Sequence, residues 1–425
     1  MIVKKTCNLW QQTCAEQVSF SALEQDLDVE LLVIGGGYTG LSAALHAAQS
    51  GARVALIEAK TIGHGGSGRN VGLVNAGLWL PPEDITAKLG AEAGARLSAQ
   101  LASAPDLVFD LIAAHDISCE ATRSGTLHCA HSKRGMQALE NRFRQARDIG
   151  APVALLDAET ARIRTGTTAV HGALFDPRAG TIQPLAYAKG LARAAAAVGA
   201  LLFENSPAVA LDAQADGWTV TTPQGRIHAG KLIVATNAYG LPIKGLHPAD
   251  TVPVHFFQAA TPPLPPELAG QILPGGEGCW DTAMVMSSWR KDAAGRLVIG
   301  AMGQLDHMAS TIHRGWLSRK LASLFPALAD QPLSAGWHGR IAMTEEYLPK
   351  TLMLGPNGMM MFGYSGRGIG PGTAFGRGMA EALLSGNYAL MPRLPVDHHK
   401  IQHAGLRAAY YETGATLTHL VKDRI

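Results

Sequence analysis

Three glycines near the start of the chain are spaced as in a turn that binds phosphate groups. They are Gly35, Gly37 and Gly40, between an apolar run and a segment with helical periodicity. The first glycine permits a tight turn, the second lets a pyrophosphate approach the backbone, and the third lets the helix pack closely. Glu58, 18 residues beyond Gly40, is placed to accept hydrogen bonds from a ribose diol. The spacing predicts a dinucleotide site for FAD or NAD, and the acid argues against the 2′-phosphate of NADP.

Two further glycine clusters could bring backbone amides against a ligand. They are residues 63–70, GHGGSGRN, and residues 363–370, GYSGRGIG. A loop of the first kind can hold a flat polar ring or a phosphate. The second leads a strand into a helix, whose N-terminus favours negative charge such as that on a reduced flavin ring. Without other observations, the first cluster could equally be a flexible surface loop, and the second could equally be a tight connection between a strand and a helix.

Signals for hydrolase and metal chemistry are incomplete. A hydrolase nucleophile elbow needs G-x-S-x-G, but the two partial matches end on Arg69 and Arg367. His128 and Cys129 are metal-ligand types, yet alternation along a short strand points them to opposite faces. We expect neither a serine hydrolase nor a metal site.

Hydrophobic periodicity predicts the elements around the first glycine turn. Residues 29–34 are mostly apolar and end at three consecutive glycines, as a buried parallel strand entering a turn does. Apolar residues then recur every three or four positions over 38–50, and Gly51 follows as a helix cap. A second apolar run, 53–57, ends at Glu58. Strand, helix and strand fit a βαβ unit of about 30 residues.

The rest of the chain alternates between two patterns. Short strands and a hairpin over 285–300 predict a mostly antiparallel unit, while prolines and polar residues cluster over 241–266. A buried strand over 231–235, and a strand over 359–362 followed by a helix over 373–385, return to the first pattern. The two units therefore interleave along the chain.

Composition excludes several classes of function. The 425 residues are 47% hydrophobic and 16% charged, with a net charge of +2. So small a net charge gives no field that recruits nucleic acid. No apolar run approaches the ~18–20 residues that span a bilayer, and residues 6–17 are too polar for a secretory signal. We therefore expect no transmembrane segment and no nucleic-acid partner.

Cysteine usage indicates a reducing compartment. The five cysteines are scattered and include no C-x-x-C pair, which argues against a disulfide framework or a zinc ribbon. We expect a cytoplasmic protein with free thiols. The cysteines are Cys7, Cys14, Cys119, Cys129 and Cys279.

Eight short stretches form a pattern that extends over nearly the whole chain. They are LWQQT at 9–13, VELLVIGGGYTGLSAALHAA at 29–48, LIEA at 56–59, GGSGRN at 65–70, IVATNAY at 233–239, GRLVIG at 295–300, WHGRIAMT at 337–344 and GYSGRG at 363–368. This pattern resembles the FAD-dependent amino acid oxidase (DAO) superfamily, and more narrowly its gamma-glutamylputrescine oxidase-like branch.

The resemblance implies an α/β protein of two interleaved domains. One is a Rossmann-type FAD-binding domain of the glutathione reductase-like and DAO-like kind, which we expect over residues 28–90, 150–245 and 340–395. The other is an antiparallel-sheet substrate domain, expected over 91–149 and 246–339. A C-terminal helical tail follows over 396–425.

The resemblance also implies a noncovalent FAD and the residues that hold it. The first glycine turn would bind the pyrophosphate, Glu58 the adenosine ribose, and the Val209 backbone the adenine. The second cluster would lie near the isoalloxazine, and the third would close over its pyrimidine edge. The expected cofactor-binding residues are Gly35, Gly37, Tyr38, Thr39, Gly40, Glu58, Ala59, Ser67, Gly68, Arg69, Asn70, Val209, Thr236, Asn237, Gly366, Arg367, Gly368 and Ile369.

The chain departs from its relatives at the third cluster. Related sequences commonly have S-G-H-G where this chain has Arg367 in the third position, so a cation that never deprotonates replaces a titratable one. The sarcosine oxidase branch carries a lysine for the substrate carboxylate where this chain has Gly370. An N-methyl amino acid is therefore a poor substrate candidate.

Several other side chains are candidates for substrate binding or catalysis. Arg340 and Arg290 could bind a carboxylate bidentately, although each could instead form an ordinary ion pair. Trp289, His255 and Gln258, on strands of the inserted unit, could line an amine pocket or simply pack. The expected catalytic set is Arg340, Arg367, Trp289, His255 and Gln258.

The implied reaction is oxidation of a C–N bond next to an amine. Hydride passes to the flavin, and water hydrolyses the resulting imine. We expect a gamma-glutamylputrescine-like or secondary amine, or an amino acid, as substrate, and oxygen, a quinone or another carrier as electron acceptor. The alternatives are an NAD-linked dehydrogenase and an FAD-binding protein without turnover.

Overall fold

The structure is a computed structural model that describes residues 8–307 and 310–422. Within these residues the α-helices are α1 (Leu9–Thr13), α2 (Tyr38–Gln49), α3 (Pro82–Leu89), α4 (Ala91–Ala102), α5 (Ala104–Ala114), α6 (Lys133–Asp148), α7 (Ala158–Thr165), α8 (Pro184–Ala197), α9 (Pro266–Gln271), α10 (Ser310–Leu324), α11 (Ile369–Ser385) and α12 (Ala404–Val421). The strands are β1 (Leu27–Ile34), β2 (Val54–Ile57), β3 (Leu73–Val74), β4 (Thr126–Cys129), β5 (Ala154–Leu156), β6 (Ala173–Asp176), β7 (Gly180–Thr181), β8 (Leu201–Phe203), β9 (Ala210–Ala213), β10 (Trp218–Thr221), β11 (Arg226–Val234), β12 (Val252–Pro263), β13 (Gly278–Asp281), β14 (Ser287–Lys291), β15 (Arg296–Met302), β16 (Ala335–Met343), β17 (Lys350–Leu354) and β18 (Gly358–Phe362).

The first sheet contains the βαβ unit. Its strands lie in the order β17-β18-β11-β1-β2-β8, with β10 beside β11 and β9 beside β10. β1 pairs in parallel with β11 and β2, and its last four residues are buried. Helix α2 packs between this sheet and helices α8 and α11. The predicted strand, helix and strand are confirmed to within two residues at each end.

The second sheet is mostly antiparallel. Its order is β16-β12-β15-β14-β13-β4-β6-β5, and only the β4–β13 pair among these described strands is parallel. Its core contains Trp289, Ile299 and, from α10, Trp316 and Leu321. A Rossmann-type sheet and an antiparallel sheet therefore come from interleaved segments, as the sequence predicted.

The expected domain boundaries differ from the strand pairing in two places. β5 and β6 fall within 150–245, expected for the FAD domain, but they pair in the second sheet beside β4. β16 continues the second sheet to Met343, beyond the expected boundary at 339. Such short strands carry no local signal for the sheet that they join, because their pairing partners are distant in sequence. The division of the remaining segments stays a prediction.

Two segments form more regular structure than the sequence indicated. The proline-rich region 241–266 contains β12, a twelve-residue strand that pairs with both β15 and β16. The strand expected over 231–235 is the end of a longer strand, β11, which begins at Arg226. In both cases pairing on two sides stabilises a strand whose own sequence shows little periodicity.

The segment Ala91–Ala114 corrects the expectation that no stretch approaches the dimensions of a membrane span. The segment has 24 residues and contains an 18-residue window with a mean hydropathy of 1.2, so it could cross a membrane by length and composition alone. Its two helices meet at Ser103, and α5 packs against α11. Leu97 and Leu101 of α4 and Val108 of α5 are fully buried in the first core. A helix packed in a protein core passes the same test, so this segment is weak evidence for membrane insertion.

The expected C-terminal tail contains α12, which packs against β12 and α10. Residues 423–425 of that tail lie outside the described residues, as does Cys7. The other four cysteines are buried free thiols.

Candidate active site

A cavity of about 1220 Å³ lies between the two sheets. Its lining includes the glycine turn before α2 on one side and residues of β12, β13 and β16 on the other. Small-molecule pockets usually measure ~300–1000 Å³. This cavity is therefore large enough for an extended cofactor and a small molecule together.

The glycine turn leaves the N-terminus of α2 open toward this cavity. Gly35 has φ +115°, in the left-handed region that favours glycine. A Cβ on Gly40 would lie 2.0 Å from the Gly35 carbonyl oxygen, and a Cβ on Gly37 would lie 2.9 Å from Ser67 Oγ. The N-cap residue Gly37 provides no capping side chain. The turn therefore has the room and the helix N-terminus that a pyrophosphate requires.

Glu58 is fixed at the end of β2 by the same turn. Its carboxylate accepts a hydrogen bond from Gly36 N (2.7 Å) and another from Lys60 N (2.9 Å). Burial raises the pKa of this carboxyl, and the two backbone donors oppose that effect. Glu58 and the neighbouring Ala59 line the cavity. The contact of this acid with a ribose stays a prediction.

A hydrogen-bond network holds the second glycine cluster against α2. Ser67 Oγ accepts from Tyr38 N (3.1 Å), and the Tyr38 hydroxyl donates to the Ser67 carbonyl (2.6 Å). Asn70 Nδ2 donates to the Tyr38 hydroxyl (3.0 Å). A Cβ on Gly68 would lie 2.3 Å from the Gly63 carbonyl oxygen. The cluster is therefore a tightly packed loop rather than a flexible one.

The third glycine cluster is tied to the end of β11. Asn237 Oδ1 accepts a hydrogen bond from Gly363 N (3.0 Å). Gly366 has φ +94°, and a Cβ there would lie 3.2 Å from Trp79 Nε1. Helix α11 begins at Ile369, four residues earlier than predicted, so the turn ends at a helix N-terminus as expected.

Most of the predicted cofactor-binding residues meet in this cavity, and four do not line it. Gly40, Gly68 and Arg69 lie behind the wall, where they support the turns. Val209 also lies outside: its N–H donates to Thr221 and its carbonyl accepts from Lys244. The preceding residue, Ala208, lines the cavity instead. The residues that do line it are Gly35, Gly37, Tyr38, Thr39, Glu58, Ala59, Ser67, Asn70, Thr236, Asn237, Gly366, Arg367, Gly368 and Ile369.

The predicted substrate residues divide in the same way. Gln258 lines the cavity, and its Oε1 is buried without a hydrogen-bond partner among the described residues. Arg340 also lines the cavity; it is exposed, and its guanidinium lies over the ring of Tyr239. Trp289 is fully buried in the core of the second sheet. His255 lies beside α12, outside the cavity. Neither of these last two lines the proposed substrate cavity.

Arg290 is also removed from the substrate site. Its side chain is 1% exposed, and its guanidinium donates to the carbonyls of Ile182, Gly72 and Lys291. It also lies over the Trp10 ring, 5.5 Å from the centroid. These contacts tie β14 to the segments that flank β3 and β7 and leave Arg290 in a structural role.

Arg367 points into an aromatic corner of the cavity that the sequence did not reveal. Its guanidinium carbon lies 4.7 Å from the Trp79 ring centroid and 5.1 Å from that of Trp280. His128 stacks on Trp280 with 5.0 Å between centroids, and Arg142 donates to the carbonyls of Leu78 and Trp79. The register of β4 and β13 pairs His128 with Trp280, a contact that no local pattern indicates.

Two cations, Arg142 and Arg367, lie in this corner, and neither is within ion-pair distance of a described acidic residue. Burial, and after it the charge of Arg142, lower the pKa of Arg367 to about 9, while Asp176 acts in the opposite direction. Burial likewise lowers the pKa of Arg142 to about 10. Both groups stay protonated near neutral pH. The pKa of His128 falls well below its usual range, first through burial and then through the two arginines, so this imidazole is neutral.

Residues of α12, of the segment after β13 and of the loop between β16 and β17 complete the lining. The hydroxyls of Tyr347 and Tyr411 are 2.8 Å apart, and Met284 is 89% exposed at the cavity edge. Among the described residues no cluster of three His, Cys, Asp or Glu side chains could hold a metal ion.

The residues present fit FAD. The open helix N-terminus, the glycine turn without side chains and the anchored acid at Glu58 form a cradle for a dinucleotide. The remaining cavity extends past the third glycine cluster to the second sheet. A flat ring system could therefore lie between the two sheets.

Comparison with known proteins agrees with this arrangement. The family model "DAO: FAD dependent oxidoreductase" matches residues 30–382. Gamma-glutamylputrescine oxidoreductase of Escherichia coli (strain K12) is 28% identical over 424 residues, which cover 96% of this chain and 98% of that protein. Probable oxidoreductase OrdL of Rhizobium meliloti (strain 1021) is 29% identical over 383 residues, 88% of this chain and 87% of that protein.

A solved structure shares the fold. The crystal structure of glycine oxidase from Geobacillus kaustophilus superposes with a TM-score of 0.69 and 21% identity, over 84% of this chain and 94% of that one. The predicted fold class is thereby confirmed. The extent of the family match also confirms the resemblance and the FAD cofactor. The chain belongs to the DAO family of FAD-dependent oxidoreductases.

Proposed function

We propose that this enzyme oxidises the C–N bond of an amine or amino acid to an imine, which water then hydrolyses. The observation that carries the proposal is that one cavity joins the dinucleotide cradle to a wall of cationic and aromatic side chains, of which Trp280 and Arg340 lie on the second sheet. A relative named gamma-glutamylputrescine oxidoreductase, matched over 98% of its length, supports an amine as substrate. Family membership favours FAD over the NAD-linked alternative.

In this proposal the two halves of the cavity have different tasks. The turn before α2 holds the pyrophosphate, Glu58 the ribose, and the third glycine cluster the ring. Ala208, rather than Val209, is placed to offer its backbone to the adenine. When bound, FAD accepts the hydride released from the substrate carbon.

The chain's own side chains then orient the substrate. Gln258 Oε1 is a buried acceptor without a partner in the described structure. It can therefore accept a hydrogen bond from an N–H of the substrate amine. Trp79, Trp280 and Tyr364 form apolar walls that exclude water from the reacting carbon. Arg340, at the exposed part of the cavity, can attract an anionic substrate during entry. Orientation of this kind accounts for much of what a protein adds to cofactor chemistry.

An anaerobic spectroscopic screen tests the proposal. The purified protein should be yellow, and denaturation should release FAD. Polyamines, gamma-glutamylated amines, and primary and secondary amino acids are then added without oxygen. Bleaching of the flavin absorption by at least one of them supports the proposal. A yellow protein that none of them bleaches would favour an FAD-binding role without turnover, and a colourless one would contradict both readings.

The same preparation distinguishes the possible electron acceptors. We propose oxygen, a quinone or another carrier. Reoxidation by air with formation of peroxide would identify an oxidase. Reoxidation only after addition of a soluble quinone would identify a dehydrogenase. A cytoplasmic location stays a prediction.

A further inference from the structure

The outer face of α12 is apolar from one end of the helix to the other. Among the described residues thirteen large hydrophobic side chains are exposed, and five of them lie on this helix. These five are between 39% and 73% exposed: Leu406, Tyr410, Leu417, Leu420 and Val421. The other exposed positions within the helix are also uncharged: Gly405, Ala409 and Thr413. A contiguous exposed apolar face of this kind marks a contact with another molecule.

The opposite face of α12 is held by the rest of the chain. Ala415 and His419 are buried, and the helix packs against β12 and α10. His313 of α10 contacts two residues of α12: its Nδ1 is 2.8 Å from His419 Nδ1, and its Nε2 is 3.2 Å from Glu412 Oε1. Arg319 donates to the His419 carbonyl (2.6 Å). Rotation of the helix would break these contacts, so the apolar face stays on the surface.

The spacing of the exposed residues favours another helix as the partner. Steps of four, three, four and three residues connect Leu406, Tyr410, Thr413, Leu417 and Leu420. We call these five residues the α12 stripe. The same steps separate the a and d positions of a coiled coil, whose seam is narrower than the face by which a helix packs on a protein core.

Charge argues against a lipid surface as the partner. A helix that lies on a membrane usually carries Lys and Arg on its polar face, which attract anionic lipid. Apart from His419, the charged residues of α12 are Arg407 and Glu412, which have opposite signs. Arg407 forms an ion pair with Glu345, and Glu412 contacts His313. The helix therefore neither attracts anionic lipid nor repels a second copy of itself.

We propose that the α12 stripe binds the same stripe of a second copy of this chain, with the two helices antiparallel about a two-fold axis near Thr413. A two-fold interface uses the same surface on both subunits. The stripe suits this symmetry, because Leu406 lies seven residues before Thr413 and Leu420 seven residues after it. Leu406 of each copy then meets Leu420 of the other, and Tyr410 lies beside Leu417.

The exposed area is close to what a stable dimer needs. A large side chain has roughly 150–250 Å² of surface, so the five exposed hydrophobic side chains of α12 present on the order of 600 Å². A standard interface covers ~800 Å² of each partner. Small residues beside the stripe add backbone surface, since a Cβ on Gly405 or Gly414 would meet nothing within 4 Å.

The proposed interface adjoins the candidate active site. Tyr410 belongs to the stripe and also lines the cavity, as do Gly414 and Thr418 of the same helix. A second copy on the stripe therefore covers Tyr410 at the edge of the cavity. This inference goes beyond the proposed reaction and does not depend on it.

Sedimentation velocity of the FAD-loaded protein tests the inference. We expect the wild type to sediment with twice the mass of one chain at micromolar concentration. Leu406→Lys and Leu417→Lys each place in the interface a charge that has no counter-charge, and the dissociation constant of the dimer should rise about 100-fold or more. Ile163→Lys is the matched control, because it makes the same kind of change at an exposed residue of α7. Its dimer should be unaffected.

A double variant tests the antiparallel pairing. Leu406→Lys combined with Leu420→Glu places opposite charges on facing positions of the two copies. The dimer that is lost in Leu406→Lys should therefore return, and added salt should weaken it. In a parallel pairing like charges would face each other, and the double variant would stay monomeric.

Three results would contradict the inference. A wild type that is monomeric throughout the micromolar range would overturn it, as would a dimer that persists in both Leu406→Lys and Leu417→Lys. A monomer that binds vesicles of phosphatidylcholine and phosphatidylglycerol, and loses this binding in Leu406→Lys, would identify lipid as the partner instead. Failure of the double variant to restore the dimer would overturn the antiparallel arrangement.

Discussion

The carboxylate of Glu58 accepts a hydrogen bond from the backbone N–H of Gly36, with 2.7 Å between Oε2 and the nitrogen. This bond joins the end of β2 to the glycine turn after β1, so the acid and the turn form one unit. The second oxygen of Glu58 accepts from Lys60 N at 2.9 Å. The protein itself therefore orients the carboxylate. Binding of a cofactor beside it costs little additional side-chain entropy.

Replacement of Glu58 should weaken FAD retention. In Glu58→Ala the ribose hydrogen bonds are lost, and we expect the Kd for FAD to rise about 10- to 100-fold. Glu58→Gln keeps one oxygen acceptor and should have an intermediate Kd. Glu30→Ala is a matched control, because Glu30 is an exposed acid that also accepts from a backbone N–H, that of Arg53. FAD content after dialysis, measured by absorbance, checks this prediction. Full occupancy in Glu58→Ala would show that the ribose lies elsewhere.

Gly40→Ala should disrupt the contact between α2 and the preceding turn. The new Cβ would lie 2.0 Å from the Gly35 carbonyl oxygen, which is backbone and cannot rotate away. We expect a destabilisation of more than about 2 kcal/mol together with loss of FAD. Gly405→Ala on α12 is the control, because a Cβ there meets nothing within 4 Å. Its stability should change by less than about 1 kcal/mol. Denaturant unfolding of both variants provides the comparison, and equal stabilities would contradict the prediction.

The parts of the site that could be predicted from sequence are those built by consecutive residues. The turn at Gly35 and the acid at Glu58 belong to a single βαβ unit, so strand periodicity and glycine spacing place them correctly. Val209 shows the limit of this reasoning. The resemblance placed its backbone at the adenine, but both of its backbone groups form hydrogen bonds with Thr221 and Lys244. The preceding residue, Ala208, lies on the cavity side instead.

The aromatic corner around Arg367 could not be predicted, because long-range pairing assembles it. His128 reaches Trp280 only through the parallel pairing of β4 with β13. Arg142 lies on α6, whose sequence is dominated by charged and polar residues, and an arginine in such a helix usually faces solvent. One signal was available at Arg367, where the family resemblance led us to expect a histidine. That signal identified the residue but not its neighbours.

Arg340→Ala should slow reduction of the flavin by substrate while FAD stays bound. Arg340 lies at the cavity edge, exposed, and its backbone N–H donates to the Tyr239 hydroxyl (2.8 Å). Because solvent screens an exposed guanidinium, we expect a loss of about 1 kcal/mol or less, or at most about fivefold in the reduction rate at low substrate concentration. Anaerobic stopped-flow measurement of flavin bleaching tests this expectation. The Arg340→Lys variant should recover most of the rate, since the charge remains. An unchanged rate in Arg340→Ala would remove Arg340 from the substrate path.

His46 should make the protein less stable in mild acid. This histidine lies on α2, with Nδ1 2.8 Å from the Ser42 carbonyl, and burial lowers its pKa from 6.5 to about 4. The unfolded chain therefore binds a proton more readily than the folded one between these values, so stability is present above pH 6.5 and is lost as the pH falls. Between pH 7.5 and pH 5 the free energy of unfolding should fall by about 2 kcal/mol more in the wild type than in His46→Gln. Urea unfolding at both pH values measures the difference. His247→Gln, which removes an exposed histidine, should follow the wild type, and an equal pH dependence in His46→Gln would show that His46 is not responsible.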